Sequence, residues 1–300
     1  MNTIYKKFVS WCNRSLFDSG EVLPPRLSSK IIAVVCLVNL LLIGSDIYEL
    51  YGAHGLVGAK MPDPLVRRYV PSFSLLGRFF DLLHVNEGIG FYIIIGVYVT
   101  ALIFVLLDYK RLVFAFVAFS LQLMTVTSSF LFSHGGDSVT TFLLFINILI
   151  CLDEVIKREL LYRTIYSFAI RLLQVQLCII YFFSGFGKVL GVDWFTGDAV
   201  WLVVNTFSTD MAGRLSDYEI LFKVSGWGVL FIELFFPVLV FVKVTRPFVL
   251  VLIILMHLFI GAFMGLLAFA ATMIAFNVVA WSGYYYRPVI AGGRLSFLLK

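Results

Sequence analysis

With 300 residues, 61% of them hydrophobic and only 14% charged, the chain holds more apolar surface than a single water-exposed core can bury. That composition excludes a water-soluble globule and predicts a polytopic membrane protein whose first partner is the lipid bilayer. The net charge of +5 falls mostly in connections between apolar runs, where it sets orientation, so no nucleic-acid partner is expected.

Residues 1–29 carry Lys6, Lys7, Arg14 and Arg26 but no apolar core beside a small-residue cleavage site. They predict a cytoplasmic arm in which Leu23-Pro24-Pro25 breaks any helix, with the first span, 31–50, serving as signal anchor. Residues 51–90 form a long mixed connection in which 72–83, with Phe73, Leu76, Phe79, Phe80 and Leu83 at helical spacing, predicts a helix lying in the interface. The second span, 91–107, is stopped by Asp108, Lys110 and Arg111, and the third is 112–132. His134-Gly135-Gly136-Asp137 predicts a tight turn whose aspartate caps the fourth span, 138–152. A charged connection leads to the fifth span, 170–189, and a second long connection covers 190–217. The sixth span, 218–242, contains Glu233 and Pro237; the seventh, 247–264, contains His257; the eighth is 266–281. The expectation is an all-α bundle of about eight transmembrane helices, a membrane domain over 30–283 and a basic cytoplasmic tail over 284–300.

Orientation follows from Lys and Arg beside short connections, because cytoplasmic connections retain them. Lys30, then Lys110 and Arg111, then Lys157, Arg158 and Arg163, then Lys243 and Arg246, then Arg287, Arg294 and Lys300 mark one side. Both termini are thereby predicted inside, and 51–90, 134–137 and 188–217 outside. Cys12, Cys36, Cys151 and Cys178 fall in the cytoplasm or the inner half of the membrane, where no structural disulfide is expected.

The chemistry is sought on the outer face. An apolar helix runs into Ser184-Gly185-Phe186-Gly187, where glycines permit close approach, and then meets Lys188, followed by Asp193-Trp194 and Gly197-Asp198. Lys188 reads either as a lysine snorkelling to headgroups or as a partly enclosed amine that serves as a general base at an outward-facing cavity. Glu233 and His257 sit at depths where an ionisable group must be paired or face a cavity. Together they form either a hydrogen-bonded pair that holds the bundle or part of a proton relay or polar wall. Asn147, Gln174, Gln176 and Asn277 read as interhelical hydrogen-bond formers. His134, Asp137, His54 and His84 share the outer face without a ligand spacing, so no metal site is expected.

The stretch 179–200, IIYFFSGFGKVLGVDWFTGDAV, resembles the horizontally transferred transmembrane (HTTM) superfamily, the membrane domain shared by vitamin K-dependent gamma-carboxylase and bacterial relatives. Weaker matches are Tyr51-Gly52-Ala53-His54-Gly55-Leu56, Gly136-Asp137 and the run from Glu233 to Pro237. In length the chain is most similar to the bacterial sporulation delaying protein B family. That resemblance implies a protein of the bacterial cell membrane which, with a partner protein, matures or exports a secreted antimicrobial peptide. The carboxylase resemblance implies a second reading, a quinone-linked enzyme in which Lys188 takes the position of the base that deprotonates the hydroquinone. No stretch corresponds to the soluble region that holds the carboxylase's propeptide. A third reading is a transport or immunity protein without catalysis, dependent on Glu233 and His257. Across these readings Asp193, Trp194, His134, Asp137, Glu233 and His257 are candidates to line or support the cavity at Lys188.

Overall fold

The computed structural model describes residues 22–51, 84–128, 135–207, 213–214 and 217–285. The helix expected at 72–83, most of the N-terminal arm, His54, His134 and the tail beyond Tyr285 lie outside the described residues. Every regular element among the described residues is helical: α1 (Pro25–Ile43), α2 (Ile47–Tyr51), α3 (Glu87–Leu106), α4 (Arg111–Ser128), α5 (Gly135–Ile150), α6 (Glu159–Val189), α7 (Asp193–Thr196), α8 (Asp198–Phe207), α9 (Glu219–Leu239), α10 (Arg246–Met264) and α11 (Leu267–Trp281). Each of the eight expected spans coincides with a helix. Six stretches are long and apolar enough to cross a membrane: α1, Gly88–Leu106 in α3, Gly135–Glu154, α6, α9 and α10; α4, α8 and α11 are shorter apolar helices.

Large apolar side chains are turned outward along these helices, among them Phe183 and Phe186 on α6, Phe231 and Phe235 on α9, and Phe248 and Leu255 on α10. Such faces suit hydrocarbon rather than water.

Two boundaries differ from expectation. Pro25 begins α1 rather than breaking it, because the missing N–H of a proline at the first helical position is not needed there; Gly44, at φ 45°, then ends the helix well short of residue 50. Helix α6 begins at Glu159 rather than 170 and runs 31 residues, roughly 46 Å at the usual rise. No proline interrupts it, and its exposed first turn is tied by an ion pair between Arg163 and Glu159 at 2.6 Å.

The chain divides into two compact units, residues 1–171 with 278–300, and residues 172–277, with the divisions falling inside α6 and α11. In the first unit α1 packs on α3 and α5, and α4 packs between α3 and α5 in the pairing order. Buried Ile32, Leu102, Leu143, Leu144 and Ile150 fill its core. Two polar pairs lie inside it: Tyr98 donates to Gln122 at 2.8 Å, and the hydroxyls of Tyr166 and Ser28 lie 2.9 Å apart. One edge is ionic. Lys30 pairs with Asp108 at 2.7 Å and Arg111 with Asp153 at 2.5 Å, while the Glu154 carboxylate accepts from the backbone N–H groups of Arg111 and Leu112 at 2.8 and 3.1 Å. Glu154 thus caps α4 from a neighbouring element, satisfying donors that a helix start leaves open.

In the second unit α9 packs on α7, α8 and α10. Val204 and Phe222 are buried together with Val200 and Phe259 against them. Arg246, at the start of α10, donates to the carbonyls of Val240 and Phe241 at 2.7 and 3.2 Å and so satisfies the exit from α9. Glu233 and Lys188 both belong to this unit.

Candidate functional site

Helices α6 and α9 meet at Gly185. A Cβ there would stand 2.9 Å from the backbone nitrogen of Leu234 and 3.0 Å from Cβ of Glu233, so the approach requires glycine. Lys188, one turn further along α6, then reaches Glu233 directly. Its Nζ lies 2.7 and 2.5 Å from the two carboxylate oxygens and 2.7 Å from Oγ of Ser184. Three acceptor atoms surround an ammonium that has three hydrogens to give. The side chain of Glu233 is 5% exposed and that of Lys188 22%, which puts the carboxylate inside and the amine at the mouth.

A short loop covers that mouth. The Trp194 ring centroid stands 5.2 Å from Nζ, within reach of a cation–π contact. The loop is held against α9 at three points. Gly226 lies under the carbonyl of Trp194 with no room for a Cβ. Gly197 has φ 90°, and a Cβ on it would stand 2.6 Å from the nitrogen of Lys223. The indole of Trp227 donates to the carbonyl of Phe195 at 3.0 Å. Asp193 begins α7 with its side chain exposed, and Asp198 accepts from Thr196 at 2.6 Å. A cavity of about 420 Å³ opens beside the loop, lined by Thr196, Asp198, Trp201, Glu219, Phe222 and Lys223. Of the residues expected to line or support a cavity, Lys188, Asp193, Trp194 and Glu233 do not line this one.

Glu233 and His257 do not bond to each other, contrary to the sequence-based expectation. Glu233 is engaged by Lys188, and Nδ1 of His257 is 2.8 Å from the carbonyl of Ile253 one turn back on its own helix. The reason is the Gly185 crossing, which brings a cation within reach of the carboxylate first. The buried His257 ring packs 5.9 Å from each of Tyr181 and Phe269.

Asp137 belongs to the first unit, in the first turn of α5. Gly135 and Gly136 are helical there rather than a turn before the helix, and the Asp137 carbonyl accepts from Thr141 at 2.8 Å. Gly187, expected to share the close approach with Gly185, is exposed with nothing near its Cβ position. Asn277 forms the expected interhelical bond, donating to the Tyr181 hydroxyl at 2.6 Å. Ser184, Tyr181 and Gly226 were not singled out from the sequence; the signal for Ser184 is its place four residues before Lys188, on the same helix face. Among the described residues no group of three or more His, Cys, Asp or Glu side chains is placed to hold a metal ion.

Outward apolar faces on helices of bilayer length, around a lysine that meets a buried glutamate, are the marks of a multi-pass α-helical membrane protein with an ionic centre. The HTTM domain model matches residues 80–282, more than half of the chain, and the chain belongs to that family. Lys188, Trp194, Glu233 and His257 all lie within the match. No curated protein and no solved structure matches the chain.

Proposed function

We propose that this HTTM protein serves the maturation or export of a secreted antimicrobial peptide in a bacterial cell membrane, together with a partner protein, and that Lys188 held by Glu233 is its working centre. The similarity to the sporulation delaying protein B family supports the process. The ion pair under Trp194 supports the centre, since a lysine that only anchored the helix to headgroups would have no call for a buried carboxylate.

In the paired state Nζ has no lone pair to offer. Transfer of one proton from Nζ to the carboxylate would leave a neutral amine beside a neutral acid. The amine then accepts a proton from whatever reaches the mouth, and Glu233 returns its own to a solvent-linked group afterwards.

Family membership and the match of Lys188 to the carboxylase base favour a second reading, a quinone-linked membrane enzyme. The reduced form of a quinone, the quinol, would supply a ring hydroxyl to be deprotonated. The flat indole of Trp194 and the amine of Lys188 are the residues suited to such a ring, with Glu233 holding the amine in place.

The test is secretion of active peptide from cells carrying Lys188→Arg or Lys188→Met at matched membrane levels. Both variants are expected to abolish maturation, because a guanidinium keeps the charge but does not release its proton. Full activity of Lys188→Arg would remove the general-base role. Full activity of Lys188→Met together with loss in Glu233→Gln and His257→Gln would turn the assignment towards a polar transport path.

A further inference from the structure

We infer that the cavity beside the Trp194 loop is a second binding site, one that takes the basic side chains of a peptide. The cavity, about 420 Å³, is lined by residues of the 172–277 unit alone and is of the size that holds small ligands. Its lining is fixed where two backbones meet. Gly197, at φ 90°, stands so close to α9 that a Cβ on it would be 2.7 Å from the carbonyl carbon of Phe222. Phe222 is the buried part of the lining, and Trp201, 39% exposed, offers an accessible indole.

Asp198 opens α8 and Glu219 opens α9, and both are exposed, so two helix starts bring two carboxylates to one cavity. Among the described lining residues the one cation is Lys223. It lies 3.4 Å from Glu219, and with the two side chains 37% and 79% exposed the pair is of the loose kind that contributes little. Asp198 accepts from the Thr196 hydroxyl at 2.6 Å, which holds the carboxylate in place without neutralising it. A second hollow of about 490 Å³ shares Glu219 and Lys223 and adds Asp217 and Tyr218. Three carboxylates thus face one ammonium along two adjoining hollows. That balance selects a cation, and the rings of Trp201 and Tyr218 suit its charge and its alkyl stem. The extent of the two hollows suits a chain rather than a single amine.

The inference rests on the reading of this protein as one that handles a peptide, and it names the part of the peptide that is recognised. Amphipathic peptides that act at membranes carry Lys and Arg on one face and Trp, Phe or Leu on the other. The loop that sets Trp194 over the Lys188 amine runs on into Thr196, Gly197 and Asp198. One short segment therefore carries both the cover of the ion pair and an edge of the cavity. A peptide seated by its basic residues lies beside that cover.

The experiment uses the whole chain in nanodiscs of phosphatidylcholine alone, a lipid with neither net charge nor a primary amine. Its five tryptophans carry a fluorine label, and the Trp201 resonance is assigned by its loss in Trp201→Phe. The probe is acetyl-Gly-Lys-Gly-Lys-Gly amide; the controls are the same peptide with glutamate or norleucine in place of lysine, and glycerophosphoethanolamine as a free lipid headgroup. The lysine peptide is expected to shift the Trp201 resonance saturably, and the controls are not. Asp198→Asn combined with Glu219→Gln keeps the side-chain shapes and should weaken binding about tenfold, as roughly two exposed ion pairs would. Lys223→Gln removes the competing cation and should tighten binding about threefold. The remaining tryptophan resonances report that each variant is folded. The site is refuted if the lysine peptide gives no saturable shift, if either control peptide shifts the resonance equally, or if binding survives the double variant. Binding of glycerophosphoethanolamine as tight as that of the peptide would also refute it, by making the cavity a headgroup site. Binding is read here without maturation, so a failed secretion test at Lys188 leaves this result standing, and failure here leaves that test standing.

Discussion

The hydrogens of the Lys188 ammonium are met by Glu233 and Ser184, so neither charge of the pair can be removed alone without consequence. Glu233→Gln leaves a half-enclosed cation without its counter-charge and is expected to destabilise the folded protein by about 3 kcal/mol, the low end for a broken buried pair because Lys188 keeps some contact with solvent. Lys188→Met leaves a buried carboxyl without its counter-charge. The double variant, Lys188→Met with Glu233→Leu, is expected to regain most of the loss, since well-packed apolar groups often match a buried ion pair. Urea or thermal unfolding in detergent measures the cycle, and additive losses would mean that the two side chains act independently. The glycines beside the pair separate just as clearly. Gly185→Ala drives a methyl into the backbone of Leu234 and is expected to cost about 1–3 kcal/mol. Gly187→Ala meets open space in the last turn of the same helix and should be neutral or stabilise by about 0.5–1 kcal/mol.

At the scale of elements, the loop carrying Trp194 is held because α9 offers it a surface of glycine and one indole donor. Gly226→Ala places a methyl against the carbonyl of Trp194, where no rotamer change relieves it, and Trp227→Phe removes one hydrogen bond of about 1 kcal/mol. Gly226→Ala is expected to lift the loop, so that a cysteine replacing Ser184 reacts faster with a polar thiol reagent, while Trp227→Phe changes that rate less. Unchanged reactivity in Gly226→Ala would show that the loop does not cover the pair. The helices were legible from apolar runs, and so was the concentration of polar residues after 184, because hydropathy is a local property. The pairing was not. Which group answers Glu233 depends on how near α6 and α9 pass, and that is set by Gly185 against Leu234, a contact between residues 49 positions apart in the chain. The same holds for Glu154, whose role as the cap of α4 is invisible without the packing of α5 on α4.

At the scale of the whole molecule, the positions of the turns set how many helices cross. Six stretches are long enough by themselves, and α4 and α11 are shorter. If α4 did not cross, the turn at 107–110 and the turn at 151–158 would lie on opposite sides of the membrane. The ionic edge of the first unit argues otherwise, since Arg111 at the start of α4 pairs with Asp153 at the end of α5, and Lys30 near the start of α1 pairs with Asp108 at the end of α3. Helix α4 leaves that edge and α5 returns to it, and we propose that they cross together as a hairpin. The basic residues Lys30, Lys110, Arg111, Lys157 and Arg158 cluster in the same turns, and we propose on that ground that the edge is cytoplasmic. In a chain with its four native cysteines replaced by serine, Tyr109→Cys and Lys157→Cys are therefore expected to react with an impermeant maleimide only after the membrane is opened. Val192→Cys, 70% exposed beside the Trp194 loop, should react in intact cells. Reaction of Lys157→Cys from outside with Tyr109→Cys still protected would show that α4 stays on one side and that fewer than eight helices cross. Reaction of both from outside, with Val192→Cys protected, would invert the protein and place Lys188 at the cytoplasmic face, where a secreted peptide would meet it only before export.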